Sequence, residues 1–215
     1  MAMTNGAKAL ADAFPGRFLL GIGVSHAPMV AERGHSYGAP IETMRAYLDQ
    51  MDQCIYRPAE PEAPVQVILA ALGPRMLRLA AERTSGAHPY FPPPSHTANA
   101  REVMGPNCLL AVEQGFILEE NPAEARRLAR MHVAHYLRLD NYRRSMLRLG
   151  FGEDDLEREG SDMLVDAIVS WGTCEAIRTR VQAHLEAGAD HVCVQAIGPE
   201  PLEALRRLAH AVCDL

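Results

Sequence analysis

Residues 17–24 read Arg-Phe-Leu-Leu-Gly-Ile-Gly-Val, and Ser25, His26, Ala27 and Pro28 follow at once. A short apolar run that ends in glycines and then polar groups has the pattern of a buried parallel strand whose C-terminal end opens onto a site. Folds built from such strands place their chemistry at that end. Ahead of the run, Ala7 to Phe14 reads as the tail of a helix, closed by a Pro15-Gly16 turn.

The remainder of the chain repeats this alternation. Strands are expected at Val65 to Ala71, Gly86 to Phe91, Cys108 to Leu118 and His191 to Ala196. Between them, helices are expected at Pro40 to Cys54, at 74–83 after Gly73 and Pro74, near Ser95 to Met104, and at Thr173 to Ala187 before Gly188. Asn121, Pro122 and Glu124 supply a cap, a first-turn proline and a first-turn acid for a helix reaching Leu137. Residues 141–170 read as further helix and loop, and Pro201 to Val212 as a closing helix. Five strands alternating with helices imply an α/β chain with a parallel sheet and right-handed crossovers. An eight-fold barrel takes about 250 residues, so 215 residues carry either a partial barrel or a complete open sheet.

Several function classes drop out. A net charge of −6 offers no basic field for nucleic acid, and no apolar run reaches the roughly 20 residues of a membrane helix. The N-terminus lacks the pattern of a secretion signal, so a cytoplasmic protein is expected. Five scattered cysteines without a C-x-x-C pair suit reduced thiols. The glycines at 21 and 23 lack the spacing of a dinucleotide fingerprint, and no phosphate-loop, G-x-S-x-G or H-E-x-x-H pattern occurs.

Four segments in order carry a likeness. They are 16–28 (Gly-Arg-Phe-Leu-Leu-Gly-Ile-Gly-Val-Ser-His-Ala-Pro), 70–83 (Ala-Ala-Leu-Gly-Pro-Arg-Met-Leu-Arg-Leu-Ala-Ala-Glu-Arg), 85–90 (Ser-Gly-Ala-His-Pro-Tyr) and 186–195 (Glu-Ala-Gly-Ala-Asp-His-Val-Cys-Val-Gln). Together they resemble the luciferase-like monooxygenase superfamily, in particular its branch that uses the deazaflavin coenzyme F420. The resemblance implies a (β/α)8 TIM-barrel type of fold, here partial with about five parallel strands in one N-terminally incomplete domain. About three βα units would precede Met1, and a start codon assigned too far downstream is the favoured account. It also implies an oxidoreductase that passes hydride between F420, or alternatively FMN, and a small organic substrate. A homodimer is expected. The contrasting reading is a non-catalytic partial barrel that serves as a dimerisation or binding module.

The likeness assigns three walls of a coenzyme pocket. Val24, Ser25 and His26 end the first strand, and His26 is the catalytic candidate because an imidazole exchanges protons near neutral pH. The same histidine could instead cap the next helix. Ala71, Leu72, Gly73, Pro74 and Arg75 end the second strand, where a glycine admits a ligand and a helix N-terminus offers amides to an anion. His88 and Tyr90 end the third, and strand alternation would aim them the same way. Glu113 and Gln114 either point inward or fill a layer, and Gln195 is a polar lining residue. His132 and His135 lack further ligands for a metal and read as core or solvated histidines. Arg126, Arg127 and Arg130 read as a solvated face, and Trp171 as packing.

Overall fold

The computed structural model describes residues 1–213. They form two compact units, Met1–His88 and a second from Pro89 onward.

The first unit runs α1 (Ala2–Ala13), β1 (Leu19–Ile22), α2 (Ala27–Glu32), α3 (Pro40–Asp52), β2 (Gln66–Leu69), α4 (Pro74–Arg83) and β3 (Gly86–Ala87). Its strands are parallel, with Ile22 opposite Leu69 and Leu69 opposite Ala87. All three therefore end at one level. The helical period of α4 buries Met76, Leu77, Leu79 and Ala80 on one face, while α3 buries Met44 and Leu48. Arg83 near the end of α4 reaches Asp49 at 2.8 Å and Asp52 at 2.9 Å, tying α4 to α3.

The third strand is shorter than the six residues its sequence suggests. Pro89 and Pro92 have no N–H to give a ladder, and Phe91 stands at φ +66°, outside extended backbone. Alternation thus does not extend from His88 to Tyr90.

The second unit contains α5 (Pro94–Met104), β4 (Leu109–Ile117), α6 (Pro122–Leu137), α7 (Asp140–Arg148), α8 (Asp162–Ile168), β5 (Ser170–Trp171), α9 (Cys174–Glu186), β6 (His191–Ala196) and α10 (Pro201–Val212). Parallel β6 pairs with β4 from Ala111 to Phe116, and the two residues of β5 pair with its C-terminal end. This short strand lies in the region read only as helix and loop. At the other end of β4, Asp190 accepts from the Leu110 amide at 2.7 Å and from Arg101 at 2.6 Å. Arg101 also reaches the carbonyl of Gly188, where a Cβ would stand 2.8 Å from the Arg101 side chain, so this turn requires glycine.

Alternation along β4 separates two chemistries. Phe116 packs with Ile177 of α9 and Leu208 of α10, and Val194 and Ala196 of β6 join that core. Gln114 shares this face: its Oε1 lies 2.8 Å from His184 Nε2, and its Nε2 donates to the carbonyls of Gly115 and Ile168. Glu113 and Gly115, with register partners Cys193 and Gln195, face the opposite side of the sheet. Of the two inward candidates, only Glu113 turns away from the core formed with α9 and α10.

The arginines of α6 are not simply solvated. Arg126 makes a double contact with Asp166 at 2.6 to 3.2 Å and covers the Trp171 ring at 5.6 Å, while Trp171 Nε1 donates to Asp166 at 2.8 Å. Arg130 pairs with Asp162, so two of the three arginines join α6 to α8. Arg127 alone stays on its own helix, paired with Glu124. The cap at Asn121 forms as read, its side chain accepting from the amides of Ala123 and Glu124. Asn121→Ala is expected to cost about 1 kcal/mol, seen as a lower urea midpoint with an unchanged slope.

Candidate functional site

The first unit brings three of the expected walls to one edge. Because Ile22, Leu69 and Ala87 lie in line, Val24–His26, Ala71–Arg75 and His88 all follow the C-terminal ends of adjacent parallel strands. The backbone continues this pairing, with the Ala70 amide on the Ile22 carbonyl at 2.9 Å and the His88 amide on the Leu69 carbonyl at 2.8 Å. A Cβ on Gly23 would stand 3.0 Å from the Ala70 Cβ, which is why the strand end carries glycine there.

Ser25 has φ +61°, a conformation rare for a residue with a side chain and concentrated at functional turns. Its carbonyl accepts from the Tyr37 hydroxyl at 3.2 Å. His26 occupies the N-cap position of α2, yet its side chain does not bond the first amides of that helix. Gly73 is the N-cap of α4 and likewise offers no side-chain cap, with Pro74 in the first turn. In the first turn of α4 Pro74 has no N–H and the Met76 and Leu77 amides bond the Gly73 carbonyl at 3.0 Å, so of these residues only the Arg75 amide is not turned back on it. Arg75 is exposed and pairs with Glu42 of α3 at 3.3 Å.

Tyr90 belongs to the second unit and sits in a polar and aromatic cluster there. Its hydroxyl donates to Gln195 Oε1 at 2.7 Å and accepts from the Tyr136 hydroxyl at 3.0 Å. Phe91, Tyr136 and Tyr142 stack within 5.1 to 5.4 Å, and His132 joins them at 5.0 Å from Tyr136. Burial lowers the His132 pKa to about 4, so this imidazole is neutral. Burial, reinforced by the hydrogen bond from Tyr136, pushes the Tyr90 phenol well above its ordinary range.

Glu113 lies beside this cluster with 5% of its surface exposed. Its Oε2 accepts from the Phe91 amide at 2.9 Å, holding the left-handed turn. Oε1 is buried without a hydrogen-bond partner among the described residues. Burial raises its pKa to about 7, partly opposed by the Phe91 amide. The sequence showed Glu113 in a strand, but neither the Phe91 turn nor the aromatic cluster from α6 and α7 carried a signal linking them to it. The tyrosine spacing around 136 and 142 was the one available hint. Among the described residues no cluster of three metal-ligating side chains occurs, and no helix is long and apolar enough to cross a membrane.

Comparison with known proteins gives this geometry its context. No curated protein sequence matches the chain. Among solved structures, an F420-dependent secondary alcohol dehydrogenase in complex with an F420–acetone adduct matches with a TM-score of 0.72 at 14% identity, over 98% of this chain and 74% of that one. The coenzyme F420-dependent tetrahydromethanopterin reductase from Methanopyrus kandleri gives 0.67 at 15%, over 97% and 76%. The oxygenating constituent of 3,6-diketocamphane monooxygenase from Pseudomonas putida, in complex with FMN, gives 0.63 at 17%, over 97% and 73%. At these identities the likeness is one of fold, parallel strands and surrounding helices of the TIM-barrel type. The family model for luciferase-like monooxygenases matches residues 1–191, and the chain belongs to that family.

Proposed function

We propose that the chain is an oxidoreductase that uses F420, or alternatively FMN, to pass hydride to or from a small organic substrate. The observation that carries this reading is family membership across residues 1–191, combined with the alignment of the expected coenzyme wall at one sheet edge of the first unit.

The residues of that edge fit such a coenzyme. Val24, Ser25, Ala71 and Leu72 would line a flat ring, with the left-handed Ser25 turning the chain at that edge. Gly73 and the start of α4 suit an anionic tail, with Pro74 shaping the turn and Arg75 able to exchange Glu42 for a phosphate. His88 borders the same edge, and Tyr90 is proposed to contribute to coenzyme or substrate binding from the second unit. The coenzyme supplies the two-electron chemistry, while the protein supplies orientation and charge. His26 is the group proposed to take or return the proton that accompanies hydride transfer, since its side chain is not used as a helix cap. Cytoplasmic location and a homodimer remain part of this reading.

A fluorescence titration with F420, and separately with FMN, tests it. Saturable binding of one of them is expected, and Gly73→Trp is expected to weaken it by at least about 100-fold by filling the approach to α4. A folded chain that binds neither coenzyme would sink the reading and favour the non-catalytic binding module.

A further inference from the structure

The least explained atom of the second unit is Glu113 Oε1. A buried carboxyl ordinarily has both oxygens satisfied, because an unpaired acceptor costs roughly 1–3 kcal/mol. Here only Oε2 is engaged, by the Phe91 amide. The groups next to it are Cys193 on β6, Tyr90 and Phe91 before α5, and Tyr142 on α7, with Gln195, His132 and Tyr136 in the cluster around Tyr90. Glu113 takes part in no ion pair among the described residues. The Tyr136, Tyr90 and Gln195 chain uses its phenolic protons internally. On the same strand face the next inward position is Gly115, where a Cβ would stand 3.4 Å from Oε1 and 2.9 Å from the flexible end of Ile197. The Ile197 side chain covers this position, so a ligand reaching Oε1 from that side displaces only its flexible Cδ1 end.

With Oε2 accepting an N–H, a proton on this carboxyl resides on Oε1 and points away from Phe91. A neutral carboxylic acid in an apolar, phenol-lined setting is a strong hydrogen-bond donor to an oxygen that carries or develops negative charge. We propose that Glu113 forms a binding site in the second unit for the carbonyl oxygen of a small organic ligand, donating a hydrogen bond to it from Oε1. The site goes beyond the coenzyme reading and stands or falls without it. Gln195 and the two phenols form its polar flank, and Phe91 fixes the acid through its amide.

Infrared difference spectroscopy on the full chain at mildly acid pH provides the test, with acetone as the carbonyl probe and 2-propanol as the comparison. Glu113→Gln keeps an acceptor for the Phe91 amide, and its melting curve checks that it folds. The wild type is expected to show a protonated-carboxyl stretch that Glu113→Gln lacks, and acetone is expected to shift that stretch saturably to lower frequency. Glu113→Asp, which moves the band without removing it, serves the same assignment if the glutamine variant does not fold. A band unmoved by acetone, or no protonated band belonging to Glu113, overturns the proposal. Because no coenzyme is added, that failure is separate from a failed F420 or FMN titration.

Discussion

His184→Ala is expected to lower stability by about 4 kcal/mol at pH 7.5, since it combines a large-to-small cavity with two stranded hydrogen-bonding groups. His184 is wholly buried between Thr97 Oγ1 and Gln114 Oε1, each 2.8 Å away. Gln114 commits its Nε2 to the carbonyls of Gly115 and Ile168, so its Oε1 must accept and His184 Nε2 must donate. The Nδ1 lone pair then accepts from Thr97, and the ring is neutral. Burial, with Arg180 and His96 adding repulsion, depresses its pKa to about 4.

The pH dependence of that histidine has a definite sign. A depressed folded-state pKa means the unfolded chain binds more protons between about pH 6.5 and pH 4, so stability falls as the pH drops through that window. The full difference is about 3 kcal/mol at 1.36 kcal/mol per pKa unit. His184→Ala should remove this component as well as lower the plateau. Urea melts at pH 7.5 and pH 4.5 check both, and a variant whose acid loss equals that of the wild type would contradict the assigned neutral imidazole.

How far the sequence foretold this molecule depended on whether the signal was local. The alternation of apolar runs with amphipathic stretches located β6 and α10 to the residue, and the Asn121 cap and the Pro74 start were equally local. Where the backbone departs from regular geometry, the pattern misled. The prolines and the left-handed Phe91 shortened β3, and a two-residue β5 is too short for any periodicity to reveal. The site divides in the same way. Strand ends follow from strand positions, so Val24 to His26, Ala71 to Arg75 and His88 were legible as one edge. The environment of Glu113 was not, because it depends on contacts with residues 22 and 80 positions away, at Phe91 and Cys193. Likewise, reading Arg126 and Arg130 as solvated overlooked Asp162 and Asp166, whose place opposite them is set only by packing of α6 against α8.

Glu113→Gln should change stability in the opposite pH direction from His184→Ala. The Glu113 carboxyl titrates at about 7 in the folded chain against an ordinary value of 4.5, so the folded state holds the extra proton between those limits. Its contribution is complete below about pH 4.5 and is lost as the pH rises through 7, a loss of about 3 kcal/mol. His184 and His132, both depressed to about 4, gain stability over nearly the same rise in pH and mask the loss in the wild type below pH 6.5. Above that value the unfolded histidines still shed their last protons, and their remaining gain nearly cancels the last of the Glu113 loss. The wild type is therefore expected to level off near pH 7, whereas Glu113→Gln, free of the opposing carboxyl, gains about 3 kcal/mol more than the wild type between pH 4.5 and pH 8. The variant should be more stable than the wild type at pH 8 and no more stable at pH 4.5, read from urea midpoints at both values. A variant whose stability runs parallel to that of the wild type from pH 4.5 to pH 8 would mean that the carboxylate is stabilised after all, and the burial of an unpartnered Oε1 could not then be what holds its proton.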